Sequence, residues 1–199
     1  MKITLSPIGY VKSSRDEIKD DNWGNVTSKI ELIDEFSVEA LQGLDAFSHA
    51  EIIFYFDRVK REKIVTGSRY PRGQQTWGKV GIFAQRGKNR PNQIGLTTVQ
   101  ILKLDRKILY VQGLDAVDGT PVLDIKPYIP YADALPDARA EMAPDRPQPC
   151  RVEFDPTVQP LFEAGGRMAP HRDLVEQVLA HDPRPAYHRE NPEPRVYGV

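Results

Sequence analysis

The prolines of this 199-residue chain are unevenly placed: three of the 17 precede residue 100, and 14 fall from Pro121 onward. Proline has no backbone N–H and a fixed φ, so it removes a rung from any ladder it joins and is excluded from central sheet. Regular sheet is therefore expected mainly before about Tyr131. The chain divides accordingly into a first domain over residues 1–131 and a loop-rich appendage over residues 132–199. A chain of this length supports one domain of good size with such an addition.

The first part reads as β-rich. Strands are predicted over residues 3–12, 28–33, 50–56, 79–84, 97–104, 108–113 and 121–125, from alternation or from β-branched and aromatic enrichment. Leu104-Asp105-Arg106-Lys107-Ile108 reads as a hairpin turn. Residues 37–43 read as a short helix that Ser37 caps, Gly43 ends and Leu41 anchors inward. A second helix is expected over residues 172–181, with Leu174, Val175, Val178 and Leu179 on one face and Pro183 beyond it. The prediction is a mainly β fold: a small barrel with a short helix, plus a proline-rich C-terminal appendage containing one helix. A doubly wound sheet would need strands alternating with full helices. Neither dinucleotide nor P-loop glycine spacing occurs, so a cofactor site must be built from barrel loops.

With 27 basic and 28 acidic residues the net charge is −1, which excludes a uniformly basic or a supercharged acidic protein. Hydrophobic residues at 40% suit an ordinary globule. No apolar run approaches the roughly 20 residues of a membrane span, and the N-terminus lacks a signal-peptide core. A lone Cys150 leaves no internal disulfide and no cysteine zinc site, which points to the cytoplasm. The charge is nonetheless local. From Arg58 to Arg90 ten basic residues surround one acid, Glu62, giving +9 against −10 for the remainder. Tyr70, Gln74, Gln75 and Trp77 interleave these cations, a mixture suited to single-stranded nucleic acid. The alternative is a solvated loop whose charges pair elsewhere.

Two segments are dense in functional groups. In the first, residues 82–96, Arg86, Lys88 and Arg90 could grip a carboxylate or phosphate, and Asn92 and Gln93 could read an amide or base edge. Turn chemistry alone would account for Pro91, Asn92 and Gly95. In the second, residues 113–128, Asp115, Asp118 and Asp124 could form a hard-metal site. However, Asp118-Gly119 is also a turn dipeptide, and Asp124 can pair with Lys126 on one strand face. Too few oxygen ligands are visible, so no metal is expected. The four histidines show no zinc-hydrolase spacing.

These segments, in this order, resemble the tRNA methyltransferase O family (TsaA/YaeB-like). The shared pieces are Pro7-Ile8-Gly9, Gly43-Leu44-Asp45-Ala46-Phe47-Ser48-His49, Gly81-Ile82-Phe83-Ala84-Gln85-Arg86, Arg90-Pro91-Asn92-Gln93-Ile94-Gly95, residues 114–128 and Asp182-Pro183-Arg184-Pro185-Ala186-Tyr187. The resemblance implies a homodimeric, S-adenosylmethionine-dependent β-barrel enzyme. Its members methylate N6 of a threonylcarbamoyl-modified adenosine beside the tRNA anticodon. Matching positions imply cofactor contacts at Arg86, Leu96, Leu114, Asp115, Ala116 and Val117. Two further contact regions fall at Asn22-Trp23-Gly24 and Asp57-Arg58, where this chain departs from the P-R-Q and H-Q pairs of bacterial members. Gly87-Lys88-Asn89 departs as well, and the chain ends at Val199 where the family continues into a further strand.

On this reading Arg86 holds the cofactor carboxylate, an aspartate holds its ribose hydroxyls or ammonium, and Trp23 shields the sulfonium or stacks on adenine. Trp23 could equally be a core aromatic. Asp118 and Asn92 are candidate catalytic groups, and Arg69, Arg72, Lys88 and Arg90 candidate RNA contacts. The departures leave two other readings open: methylation of another RNA site or of a small molecule, and a non-catalytic module that binds the cofactor or RNA.

Overall fold

The computed structural model describes residues 3–16, 23–71, 75, 78–140 and 151–180. Two compact units emerge, one of Met1–Lys19 with Trp23–Pro136, the other of Asp20–Asn22 with Asp137–Val199. The strands of the first unit are β1 (Gly9–Ser13), β2 (Thr27–Leu32), β3 (His49–Tyr55), β4 (Ser68–Arg69), β5 (Val80–Gly81), β6 (Ile94–Asp105), β7 (Ile108–Gln112) and β8 (Pro121–Pro127). Six of them close into an antiparallel barrel in the order β1-β2-β7-β6-β3-β8, while β4 and β5 form a separate ribbon. The expected mainly β barrel is what the sequence folds into.

Inward residues alternate along the strands: Val11 on β1, Ile30 on β2, Ala50, Ile52 and Phe54 on β3, Leu109 and Val111 on β7. At period two, a one-residue slip would expose all of them, so this pattern fixes the register. β8 joins the closed sheet despite its prolines because Pro121 and Pro127 occupy its first and last positions, where a missing N–H is tolerated.

Several predicted elements are shorter or different. Residues 3–7 form no strand; pairing begins at Gly9, and Ile3 and Leu5 are exposed. The strand expected over 79–84 is only Val80–Gly81, followed by a 3-10 turn over Ile82–Ala84 that buries Ile82 and leaves Phe83 76% exposed. The helix expected over 37–43 is a four-residue 3-10 turn, Val38–Leu41. Ser37 makes no side-chain cap there, but Leu41 is buried as expected, and Gly43 with φ of 85° starts a second short turn.

β6 starts three residues earlier than predicted, since it serves two neighbours in succession. Ile94 to Val99 pair with Tyr55 to Ala50 of β3, and Gln100 to Asp105 pair with Gln112 to Ile108 of β7. The Asp105–Ile108 hairpin forms as predicted, with Arg106 at φ of 56° in its turn. In the second unit the helix Arg172–Ala180 forms close to its predicted limits. Val175 is buried and Leu179 is exposed, while the side chains of Leu174 and Val178 lie outside the described ones.

The barrel order has one consequence for function. β7 and β8 are three strands apart in either direction around a six-strand barrel, so the connection between them must cross the barrel's end. Leu114, Ala116 and Val117 of that connection are buried and plug the mouth.

Candidate active site

Because adjacent strands are antiparallel, the end of β1, the start of β2, the end of β7, the start of β6, the end of β3 and the start of β8 share one rim. The described candidate residues gather there. Trp23 and Gly24 precede β2, Asp57 and Arg58 follow β3, residues 114–118 cross the mouth, and Leu96 lies near the start of β6. Arg69, Arg86, Lys88, Arg90 and Asn92 belong to the connection from β3 into β6. Asn22 and Arg72 lie outside the described residues.

Arg58 laces three pieces of this rim together. Its Nη1 donates to the carbonyl oxygen of Asp16 at 2.5 Å and its Nη2 to that of Asp118 at 2.6 Å. Asp118 is tied further: its main-chain N–H donates to the Arg15 carbonyl at 2.7 Å, and its Oδ1 accepts from the Ser13 N–H at 3.0 Å. Gly119 follows with φ of 81°, a left-handed conformation that favours glycine, so the Asp-Gly turn forms as read. Asp118 is thereby a loop-fixing residue with one carboxylate oxygen engaged by the backbone.

Trp23 is half-buried, and the Arg15 guanidinium lies 4.4 Å from its ring centroid. The turn it opens is docked on the end of β7, where Gln112 Nε2 donates to the Gly24 carbonyl at 3.3 Å and Gly113 N–H to the Val26 carbonyl at 3.0 Å. Leu114, Ala116 and Val117 turn their side chains inward, so that stretch can meet a ligand only through its backbone and through the exposed Asp115.

Arg86 and Leu96 form a second group at the rim. The exposed Arg86 donates from Nη2 to the Leu96 carbonyl at 3.2 Å, and the Leu96 side chain is itself exposed. Arg90 faces its own loop, donating from Nη1 to the carbonyls of Gln85 at 2.6 Å and Ile82 at 3.4 Å. Gln85 joins β4 to β5: its Nε2 donates to the carbonyls of Val80 and Arg69, and its Oε1 accepts from Arg69 Nε. Lys88 is half-buried in the same loop, and Asn92 is exposed.

Gln93 corrects the reading of this loop. It is 7% exposed and cannot read a base edge. Its Nε2 donates to the carbonyls of Phe56 and Val59, both at 2.9 Å, and its Oε1 accepts from the Tyr55 hydroxyl at 3.1 Å. The positive φ also falls on Gln93, at 53°, rather than on Asn92 or Gly95. Gly95 is a packing position: a Cβ there would sit 2.5 Å from the Phe54 ring. No periodicity marks Gln85 or Gln93, because their importance lies in loop carbonyls brought together only by the tertiary fold.

The three aspartates of the second segment do not converge. Asp118 meets Ser13, and Asp124 binds Lys126 at 2.7 Å as expected, an ion pair that raises the Lys126 pKa. Among the described residues no group of three His, Cys, Asp or Glu could hold a metal ion. What the rim offers instead is an exposed guanidinium, an exposed carboxylate, backbone polar groups and an indole.

Comparison with known proteins identifies the family. Residues 18–134 match the model of the tRNA-methyltransferase O N-terminal domain and residues 147–199 that of the TrmO C-terminal domain. A Pseudomonas aeruginosa protein named putative S-adenosylmethionine-dependent methyltransferase RcsF is 40% identical, covering 100% of this chain and 89% of its own. The Escherichia coli tRNA (adenine(37)-N6)-methyltransferase is 38% identical over 81% of this chain and 71% of its own. A crystal structure of TrmO from P. aeruginosa superposes with a TM-score of 0.74 at 38% identity, covering 100% of this chain and 87% of that one. With family models spanning both parts of the sequence and the barrel shared, this chain belongs to the tRNA-methyltransferase O family.

Proposed function

We propose that this protein methylates N6 of the adenosine at position 37 of tRNA, using S-adenosylmethionine, and that the acceptor carries a threonylcarbamoyl group. The observation that carries this reading is the 38% identity, over 81% of the chain, to a relative named for that reaction. The enzyme works as a homodimer in the cytoplasm; among the described residues no helix is long and apolar enough to cross a membrane.

The rim's donor set fits the cofactor. Arg86 would take its carboxylate, Asp115 its ammonium or ribose hydroxyls, and Trp23 its adenine or sulfonium, with Gly24, Asp57, Leu96 and the backbone of residues 114–117 completing the walls. Bound S-adenosylmethionine supplies a methyl group already activated on a sulfonium, so the protein's task is alignment and exclusion of water. Arg58 serves that task by clamping the Asp16 and Asp118 carbonyls, which fixes the segment closing the barrel mouth. Asn92, exposed beside the rim, can hydrogen-bond the acceptor base. Arg69 and Lys88 supply cations to the RNA backbone. Transfer of labelled methyl from the cofactor to tRNA that carries the threonylcarbamoyl group but lacks the N6-methyl tests the reading.

A further inference from the structure

One row of residues on the outer barrel wall has no part in the site above. The register places Lys12 of β1 opposite Lys29 of β2, Lys29 opposite Tyr110 of β7, and Tyr110 opposite Lys103 of β6. The row therefore crosses four adjacent strands, about 14 Å at the usual strand spacing. All three lysines are exposed. The ammonium groups of Lys103 and Lys29 lie 4.3 and 5.3 Å from the Tyr110 ring centroid, one strand to either side.

Like charges directly opposite on neighbouring strands destabilise a sheet. Among the described residues no carboxylate is within ion-pair distance of these three lysines, although Glu31 lies one step along β2 on the same face. A row of cations with no such partner there is complementary to a polyanion. Its position says which one. Lys12 adjoins Ser13, whose amide holds the Asp118 carboxylate at the rim, and Lys29 lies two residues from the first residue of β2, where the Trp23 turn ends.

We propose that Lys12, Lys29, Tyr110 and Lys103 form a track for the phosphate backbone of the RNA flanking the target nucleotide. This rests on the reading of the rim as the methylation site. With the target at the rim, the adjoining RNA strand runs down the wall, past cations spread over about 14 Å. Tyr110 holds the two lysines beside it by cation–π contact and offers its hydroxyl between them.

The test is a triple variant, Lys12→Gln with Lys29→Gln and Lys103→Gln, in the full chain, and Lys29→Glu alone as a second variant. Binding of an unmodified tRNA transcript is measured across a salt series, beside S-adenosylmethionine affinity and particle mass by light scattering. Expected for the triple variant is a loss of tRNA affinity of about tenfold or more at ~0.1 M salt. The log–log salt slope should shrink by about 2, with cofactor affinity unchanged. Lys29→Glu should weaken tRNA binding in the same direction. Unchanged tRNA affinity and slope overturn the proposal, as does a change confined to particle mass, which would give the row to a protein partner. A wild-type chain that binds tRNA through this row yet transfers no methyl to threonylcarbamoyl-modified tRNA would support the track and remove the methylation reading.

Discussion

Arg58 donates to the main-chain oxygen of Asp118 at 2.6 Å, joining the loop after β3 to the segment that closes the barrel mouth. The same guanidinium reaches Asp16, so a single side chain holds three rim segments in register. Arg58→Ala should weaken S-adenosylmethionine binding about tenfold, the scale of a lost charged hydrogen bond. Lysine should not restore it, since one ammonium cannot reproduce the forked geometry. Calorimetric titration of both variants checks this; wild-type affinity in Arg58→Ala would remove Arg58 from the account.

Gln93 acts one step further back. Its amide satisfies two loop carbonyls, and replacing it with leucine leaves both without that donor. Each such loss costs about 1–3 kcal/mol where the group is buried. Its left-handed backbone adds a second, opposite effect: Gln93→Gly should be about 1 kcal/mol more stable than Gln93→Ala, because both lose the bonds but only alanine retains the αL penalty. Denaturant titration measures the difference. Equal stabilities would mean that the φ of 53° carries no penalty.

Gly95→Ala tests the packing role of the same loop. The added methyl would meet the Phe54 ring in the middle of the core, and overpacking of this kind costs about 1–3 kcal/mol. A lowered thermal midpoint is expected. No change would show that β6 can shift away from β3 freely.

These positions show what could be read from the sequence and what could not. Strands with a clean period of two, such as Ala50, Ile52 and Phe54 on β3, were legible because burial on one face imposes that period. The barrel followed from many short strands with little helix between them. The residues 79–84 misled because Val80 and Ile82 are both buried, yet one sits in a strand and the other in a 3-10 turn. Gln93 was beyond reach for another reason. Its partners, Tyr55, Phe56 and Val59, are more than 30 residues away in the chain, and buried amides leave no compositional trace. The candidate site residues follow from the order of motifs shared with the family, and only the antiparallel topology explains why segments so distant in sequence meet at one rim.

On the proposed reading Arg86, exposed and anchored by one bond to Leu96, receives the cofactor carboxylate. Arg86→Ala should raise the dissociation constant for S-adenosylmethionine by about tenfold or more while leaving tRNA affinity nearly unchanged. The separation matters: parallel losses of both affinities would indicate a collapsed loop instead.

The most direct measurement is incubation of the purified protein with methyl-labelled S-adenosylmethionine and tRNA from cells lacking this activity, followed by nucleoside analysis. Label on N6 of the adenosine at position 37, absent when the threonylcarbamoyl group is absent, is the predicted result. Tight cofactor binding with no label in RNA would contradict it.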